Sequence, residues 1–395
     1  MKILFVAQNF QLGGITTSLI NMLRELSEAP ELELAVFAFG DGPYKDRVPS
    51  NIQLYQGSRR LRLVATPFKK VLQSHNIIDV LLRVCSMMQV RIMGSDNFYR
   101  HLFKKEQKYD GYDICISYFD DMTGGYFNQG TLIYVADFVK ADKKIAWSHT
   151  DPVSYHFNQE HYKCLLEKFD DFVCVSQAMK TRWQEFLDMP NKNIHVVHNF
   201  VQPKWVRQKG EEYSAFHTEN VFNIVTVARI DNISKRIDRI LKVCRLLLDN
   251  HVKDYIWRIV GEGPDMSACL EIIRQEGLEN NVQMTGFCVN PYPYMKASQL
   301  FVLTSDFEGW GAVIREAQIL GTPVLSTNFA AVAEVIRDGV DGFIVEKDEH
   351  KLCTKIMELM QKENNELEVV SQHLKCRPFD IDNSKIEFYE LLELM

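Results

Sequence analysis

Short apolar runs alternate with helical stretches along this chain, and this alternation limits its possible folds more than any other feature. Residues 3–7 predict a buried strand, followed by a glycine turn at Gly13-Gly14 and by apolar residues at helical spacing over 15–26. Further apolar runs predict strands over 33–39, 113–117, 144–147 and 172–176. Strands that alternate with helices indicate a mostly parallel sheet that is covered on both faces.

The same alternation restarts in the second half of the chain. Apolar runs predict strands over 222–227, 255–260, 282–285, 300–304 and 323–326, with a helix over 237–248. A chain of 395 residues is too long for a single core, so we expect two α/β domains in tandem. Because residues 202–220 are polar and weakly periodic, we place the first domain at 1–203, a linker at 204–220 and the second domain at 221–376.

Composition and charge exclude several classes of protein. Hydrophobic residues make up 46% and charged residues 25%, which is ordinary for a globular protein and excludes a disordered, collagenous or coiled-coil chain. A net charge of -7 argues against a nucleic-acid binder. The nine cysteines form no CxxC pair, which favours reduced, mostly buried thiols. With no export signal and no apolar run of about twenty residues, we expect a cytoplasmic protein that is free or touches the membrane from that side.

One window of the sequence has an unusual charge. Residues 58–108 carry eleven lysines and arginines against three acidic residues, and apolar side chains are interleaved with the basic ones. Such a composition is typical of a basic amphipathic face on an anionic membrane surface. The alternative is a solvated, charged helical face that packs on the first sheet.

Two carboxylates and two cations in the second half could bind one ligand. The segment 305–317 follows a predicted strand, turns through two glycines and opens a helix, whose N-terminus suits a phosphate or a sugar hydroxyl. Glu308 in this turn and Glu316 on the helix could accept hydrogen bonds from two polyol parts of one ligand; otherwise they are surface residues. Arg229 and Lys235 follow the strand 222–227, where two cations could neutralise a diphosphate or simply lie on the surface.

Together these residues resemble a known enzyme family. Glu308 and Glu316, separated by seven residues, resemble the E-x7-E signature of retaining, nucleotide-sugar-dependent glycosyltransferases of family 4. Arg229 and Lys235 match the Arg/Lys pair of that family. In chain order, the segments 13–14 and 260–264 match its N-terminal glycine turn and its "VGxGP" turn, and 321–324 and 338–343 match its closing segments. The resemblance implies the α/β GT-B fold, with two Rossmann-like domains facing across a cleft and a final helix, here 377–395, that returns to the first domain.

The resemblance also implies a role for each matching residue. Glu316 would bind the donor ribose, and Glu308 the hydroxyls of the donor sugar. Arg229 and Lys235 would stabilise the diphosphate as the glycosidic bond breaks. The remaining donor-binding residues would be Gly309, Trp310, Gly311, Gly13, Gly14, Gly261, Val289 and Asn290, of which Val289 and Asn290 would touch the base. His149, in a segment that resembles "W-x-H-x-D", would point at the donor sugar, or else it is a structural histidine.

The resemblance thus implies a retaining transferase with an acceptor-binding first domain and a donor-binding second domain. It would move a hexose or N-acetylhexosamine from a UDP-linked donor to a glycan or lipid-linked acceptor in cell-surface polysaccharide synthesis. The nucleotide sugar is a co-substrate, and the family implies no metal and no further cofactor. Two departures are Trp310 in place of the usual Phe and a loop over 231–234 that lacks the usual Pro-Glu. The alternatives are an epimerase or phosphorylase of the same architecture and a non-catalytic partner subunit.

Overall fold

The chain forms two compact units. The structure, a computed structural model, describes residues 1–11, 13–122, 127–216, 221–361, 363, 365–379 and 383–394. One unit contains residues 1–200 and 383–395, and the other contains residues 201–382. Part of the predicted linker (217–220) and parts of the predicted C-terminal segment (380–382 and 395) lie outside the described residues.

The first unit is built on a parallel sheet. Its strands, in chain order, are β1 Lys2–Ala7, β2 Glu33–Ala38, β3 Gln53–Gln56, β4 Asp110–Ser117, β5 Lys140–Ser148, β6 Asp171–Cys174 and β7 Asn193–Val196. The order across the sheet is β3-β2-β1-β4-β5-β6-β7, and the described pairs are all parallel. The order reverses between β1 and β4, so the loops that follow these two strands diverge and leave room for a ligand at the carboxyl edge.

Helices connect the strands of the first unit. They are α1 Gly14–Leu26, α2 Arg59–Ala65, α3 Phe68–Gln73, α4 Ile77–Met93, α5 Ser95–Phe103, α6 Thr131–Phe138, α7 Gln159–Leu166 and α8 Gln177–Leu187, with a 3-10 turn at Lys45–Arg47. Aromatic side chains fill the core on one side of the sheet: the rings of Phe37, Phe39, Phe103 and Tyr134 pack against one another at centroid distances of 4.9–5.7 Å. All four side chains are at most 1% exposed.

The second unit repeats the architecture. Its strands are β8 Phe222–Val227, β9 Tyr255–Val260, β10 Val282–Gly286, β11 Leu300–Leu303, β12 Val324–Thr327 and β13 Phe343–Val345. They form a parallel sheet in the order β10-β9-β8-β11-β12-β13. The order reverses between β8 and β11, which are hydrogen-bonded neighbours.

The second unit begins earlier than the sequence indicates, because its first helix lies in the predicted linker. Its helices are α9 Pro203–Gly210, α10 Ile237–Asp249, α11 Met266–Gln275, α12 Tyr292–Ala297, α13 Ala312–Ile319, α14 Glu349–Met360 and α15 Glu366–Cys376, with a 3-10 turn at Val332–Glu334. Much of the predicted linker 204–220 therefore belongs to α9, which starts with proline at its first turn, buries Val206 and packs on α12 and α13. The periodicity was weak because the helix has only eight residues.

The last helix, α16 Asn383–Leu391, belongs to the first unit. Phe388 is fully buried and its ring packs near those of Trp147 and Phe200, at 6.2 and 6.4 Å between centroids. Lys385 Nζ lies 3.1 Å from Glu25 Oε1, and the hydroxyl of Tyr389 donates to Glu31 at 2.7 Å. The chain thus leaves the first unit after residue 200 and re-enters it at α16.

The predicted fold class, α/β with two Rossmann-like domains, is confirmed. The predicted strands all appear, within a few residues of their predicted bounds. All nine cysteines are free and five of them are buried, as the sequence indicated. A search of the described residues for helices long and apolar enough to cross a membrane found none.

Candidate active site

The sequence-predicted cation and carboxylate meet at the strand-order reversal of the second unit. Lys235 follows β8 and Glu308 follows β11, the two neighbouring strands between which the order reverses. Their side chains form an ion pair, with 2.6 Å between Lys235 Nζ and Glu308 Oε1. This position, outside the carboxyl ends of the strands, is where open α/β sheets bind their ligands.

Glu308 is largely shielded from solvent and hydrogen-bonded, unlike a solvated turn residue. Its side chain is 11% exposed, and the hydroxyl of Ser305 donates to the same Oε1 atom at 2.7 Å. Ser305 itself is fully buried at the end of β11. The interpretation of Glu308 as a solvated turn residue is therefore wrong, because a lysine and a serine from two loops hold the carboxylate in place.

Asp231 organises the loop that carries Arg229 and Lys235. Its carboxylate accepts hydrogen bonds from the backbone N–H groups of Ser234 at 2.7 Å and Lys235 at 3.3 Å, and from the Ser234 hydroxyl at 3.0 Å. Burial opposes ionisation of Asp231, but these bonds and the charge of Arg229 outweigh it and lower its pKa. The loop is thus shaped by an internal carboxylate, although it lacks the Pro-Glu of the family that the sequence resembles.

Arg229 joins this loop at its exposed side. Arg229 Nε lies 3.1 Å from Asp231 Oδ2, while the arginine side chain is 65% exposed. The guanidinium is therefore oriented by Asp231 and still accessible to an anion. Arg229 and Lys235 are linked through the same carboxylate, and the interpretation of the two as an unrelated pair of surface bases does not hold for Lys235, which is 22% exposed.

A glycine turn connects Glu308 to helix α13. Gly311 has a φ of 84° and forms the N-cap of the helix, a backbone conformation that favours glycine. Trp310 is 6% exposed, so the turn rests on a buried indole. The first turn of α13 contains no acidic residue, which leaves its positive dipole end uncompensated.

Glu316 lies inside the second unit rather than on its surface. Its side chain is 7% exposed, and the hydroxyl of Tyr292 donates to its Oε1 atom at 3.0 Å. Burial raises the pKa of Glu316 to about 7, although the bond from Tyr292 favours the ionised form. The interpretation of Glu316 as a surface helix residue is wrong.

The remaining predicted residues of the second unit have other contacts. A Cβ on Gly261 would lie 1.9 Å from the Ala228 carbonyl oxygen, so this glycine allows the loops after β8 and β9 to pack together. The amide of Asn290 donates to the Lys209 carbonyl and to Glu212, and Val289 is 60% exposed beside it. Asn290 thus anchors the end of α9, and a contact of these two residues with a base stays a prediction.

Gly13, Gly14 and His149 belong to the first unit. Helix α1 begins at Gly14, and a Cβ on either glycine would meet nothing within 4 Å. His149 follows β5; its backbone N–H donates to Asp120 Oδ2 at 3.0 Å, and its ring centroid lies 4.7 Å from that of Tyr118. Desolvation lowers the pKa of His149 to about 3, and its Nε2 has no hydrogen-bond partner within the described part of the chain. The ring is therefore a neutral imidazole.

The sequence did not indicate the side chains that hydrogen-bond to the predicted site residues. Ser305, Asp231 and Tyr292 each bind a predicted site residue, as described above. Ser305 and Asp231 lie within or beside the motifs, so their proximity in sequence was an available signal. Tyr292 had none, because it reaches Glu316 across 24 residues. Within the described residues, no group of three or more His, Cys, Asp or Glu side chains could hold a metal ion.

The second unit matches a known family. Residues 211–373 match the family model described as "Glycosyl transferases group 1". The match covers most of the second unit and includes Arg229, Lys235, Glu308 and Glu316. The comparison therefore supports a glycosyl transferases group 1 domain in this part of the chain.

Curated relatives are similar over part of the chain. The chain is 24% identical over 186 residues to N-acetyl-alpha-D-glucosaminyl L-malate synthase of Bacillus anthracis, covering 46% of this chain and 47% of that protein. It is 27% identical over 204 residues to N-acetylgalactosamine-N,N'-diacetylbacillosaminyl-diphospho-undecaprenol 4-alpha-N-acetylgalactosaminyltransferase of Campylobacter jejuni, covering 51% and 53%. The matches span about half the length of these relatives.

Solved structures are similar over the whole chain. The structure of HepE from Anabaena in complex with UDP-glucose aligns with a TM-score of 0.69 over 100% of both chains, at 18% sequence identity. Likeness at this identity defines the fold. The fold is therefore that of GT-B glycosyltransferase structures, with two parallel-sheet Rossmann-like domains.

Proposed function

We propose that this protein is a retaining glycosyltransferase. It moves a hexose or an N-acetylhexosamine from a UDP-linked donor to a glycan or lipid-linked acceptor in cell-surface polysaccharide synthesis. The observation that carries the proposal is the ion pair of Lys235 and Glu308, 2.6 Å apart at the strand-order reversal of the second unit. A cation and a carboxylate in one place suit a ligand that has both a diphosphate and sugar hydroxyls.

The leaving group is stabilised by the two cations. As the glycosidic bond breaks, negative charge grows on the diphosphate, and Lys235 and Arg229 attract it more strongly than in the ground state. Such preorganised electrostatic stabilisation is usually the largest catalytic contribution. Because both positive charges come from side chains, the proposed reaction requires no metal and no cofactor.

The two carboxylates bind different parts of the donor. Glu308 accepts hydrogen bonds from hydroxyls of the sugar, beside the backbone of Gly309 to Gly311, and Glu316 accepts from the ribose. Glu308 is not assigned as a nucleophile: its Oε1 already accepts from Lys235 and Ser305, and these bonds reduce its nucleophilicity. Retention rests on the resemblance to family 4, in which the acceptor attacks from the front face.

His149 is assigned to the sugar side of the reaction. Its neutral ring and its Nε2, which has no partner among the described residues, suit a hydrogen bond to a donor-sugar hydroxyl. A neutral imidazole adds no positive charge that would compete with the cations for the diphosphate. Gly13 and Gly14 leave space beside the backbone after β1, which suits close approach of a ligand.

The substrate classes rest on the similar proteins. HepE was solved with UDP-glucose, and the Campylobacter relative is named for transfer of N-acetylgalactosamine to a diphospho-undecaprenol-linked sugar. These names support a UDP-linked donor and a lipid-linked or glycan acceptor here. A cytoplasmic enzyme with such an acceptor works at the inner face of the membrane, and the basic residues 58–108 supply a positive surface for that contact.

The experiment is a screen of nucleotide sugars for nucleotide release, with and without candidate acceptors. We expect slow release of UDP from one UDP-sugar and faster release when an acceptor is added. Interconversion of the sugar without an acceptor would instead identify an epimerase. Binding without any release would identify a non-catalytic partner subunit, and either result would contradict the proposal.

A further inference from the structure

Helix α4 exposes much of its apolar surface. Of its side chains, Ile77 is 75% exposed, Ile78 60%, Leu81 58%, Met88 58% and Ile92 86%. Single exposed apolar residues are common on protein surfaces, but contiguous exposed patches mark interaction sites. Five such residues on one helix therefore require a partner.

The exposed residues form one stripe. We call Ile78, Leu81, Cys85, Met88 and Ile92 the apolar stripe; they follow one another at spacings of three and four residues, which places them on one face of the helix. Cys85 is exposed as well.

The face of α4 that packs against the first unit is mixed, since Val80, Leu82, Val84 and Met87 are half-buried beside its buried residues. The buried residues of the helix are Arg83, Ser86 and Val90. An ordinary surface helix turns its apolar face inward and its polar face to water. Helix α4 instead has apolar side chains on its exposed face as well, so the apolar stripe is not explained by the packing of the unit.

The sequence window that contains the stripe is basic, and each of its three acidic residues has a partner within the first unit. Asp79 pairs with Arg59 at 2.8 Å, Glu106 is held by Ser58, and Asp96 pairs with His161 at 3.1 Å. Exposed lysines on the neighbouring segments, all within residues 58–108, are Lys69, Lys70, Lys104, Lys105 and Lys108. The net charge of this region is therefore strongly positive.

We propose that α4 lies in the interface of an anionic lipid bilayer, with the apolar stripe inserted at the boundary between headgroups and acyl chains. The proposal rests on the proposed membrane contact and assigns it to one helix face. A second copy of this chain is a less suitable partner, because two basic regions would then face each other and repel. Anionic lipids complement the lysines, and the acyl boundary accepts the stripe.

The test compares the wild-type protein with the double variant Leu81→Glu/Ile92→Glu. The matched control is Val369→Glu on α15, where the valine is 57% exposed. Binding is measured by co-sedimentation with vesicles of phosphatidylcholine and phosphatidylglycerol, and with vesicles of phosphatidylcholine alone. We expect wild type and Val369→Glu to bind the anionic vesicles equally and to release them at high salt. The double variant should bind at least tenfold more weakly.

Equal binding of the double variant and wild type would overturn the proposal, as would equal binding of wild type to both kinds of vesicle. Circular dichroism of the double variant checks that it is folded, and in Leu81→Trp a blue shift of tryptophan emission on anionic vesicles gives a second readout. If light scattering instead finds a dimer that the double variant loses, the occupant is a second copy and the proposal is wrong. Donor turnover in solution should be unchanged in the double variant, so failure of membrane binding and failure of the proposed transferase activity are distinguishable.

Discussion

At the scale of single residues, the buried carboxyl group of Glu316 makes protein stability and donor binding depend on pH. Burial raises the pKa of Glu316 from 4.5 to about 7, so the folded protein holds a proton there that the unfolded chain releases between these values. The free energy of unfolding therefore falls as pH rises from 4.5 to about 7. Above about pH 7 the full loss of stability from ionising the buried carboxyl is present. Donor binding through this carboxylate requires the ionised form and should improve over the same range.

The substitution Glu316→Gln tests this effect on stability. The amide keeps an acceptor for the Tyr292 hydroxyl and carries no charge. The free energy of unfolding of Glu316→Gln should therefore exceed that of wild type by an amount that grows with pH. Between pH 5 and pH 8 we expect that advantage to increase by about 2–3 kcal/mol. Urea unfolding at the two pH values measures it, with Glu279→Gln at an exposed turn as the control. A constant difference between Glu316→Gln and wild type would contradict the assigned burial effect.

The residues that bear charge were predictable from the sequence, and those that position them were predictable only in part. Lys235 and Glu308 were expected in one site because both follow strands of the second unit, and the structure brings them together. Ser305 and Tyr292 contact the carboxylates of Glu308 and Glu316 instead of a ligand, and their types fit many other roles. The contact of Tyr292 depends on the packing of separate elements, which a local pattern does not contain, whereas Ser305 lies in the same turn as Glu308.

At the scale of elements, Gly261 controls how the loops after β8 and β9 approach each other. A Cβ at this position would lie 1.9 Å from the Ala228 carbonyl oxygen, beside the loop that carries Arg229. We expect Gly261→Ala to lower the free energy of unfolding by roughly 1–3 kcal/mol, as overpacking does, and to weaken donor binding. Denaturant unfolding measures the change.

The control for this prediction is Ser267→Ala, at an exposed position of α11. It should change stability by no more than about 0.5 kcal/mol. If Gly261→Ala is as stable as the control and binds donor normally, the close packing of the two loops is not required.

Elements with a strong apolar signal were found from the sequence, and polar or short ones were not. Strands β8 and β9 have the bounds that the sequence predicted, because both are mostly apolar and mostly buried. Strand β3 has the sequence Gln-Leu-Tyr-Gln, lies at the edge of its sheet and is half-buried, so it had no apolar run. The sequence indicates a basic amphipathic face somewhere within residues 58–108, but which helix carries it and which side packs inward depend on the tertiary structure.

At the scale of the whole molecule, helix α16 brings the end of the chain back to the first unit. Phe388 is fully buried there, near Trp147 and Phe200. We expect Phe388→Ala to cost about 3–5 kcal/mol and to lower the melting temperature of the first unit by roughly 5–15 °C. Calorimetry measures the shift, and Ile386→Ala on the same helix, where the isoleucine is 50% exposed, should leave it nearly unchanged. Equal melting temperatures of the two variants would contradict a structural role for α16.

The division of the chain into two α/β units was predictable because the alternation of strands and helices occurs twice in the sequence. The prediction of a linker over 204–220 was wrong for its first part, since α9 is an element of the second unit with a buried face. The apolar periodicity of residues 386–395 predicts a helix, whereas its place in the first unit follows from the family resemblance alone. Long-range placement of this kind depends on contacts such as that of Lys385 with Glu25, which are 360 residues apart.

The central claim is that the second unit binds the diphosphate of a nucleotide sugar through Lys235. Calorimetric titration of UDP into wild type and into Lys235→Ala tests it most directly, with Lys351→Ala, an exposed lysine paired with Glu346, as the control. Loss of one charge-assisted contact of about 1.5–3 kcal/mol predicts that Lys235→Ala binds UDP roughly 10- to 100-fold more weakly than wild type, while Lys351→Ala binds it equally. Equal affinity of wild type and Lys235→Ala, or no binding of UDP to wild type, would contradict the claim.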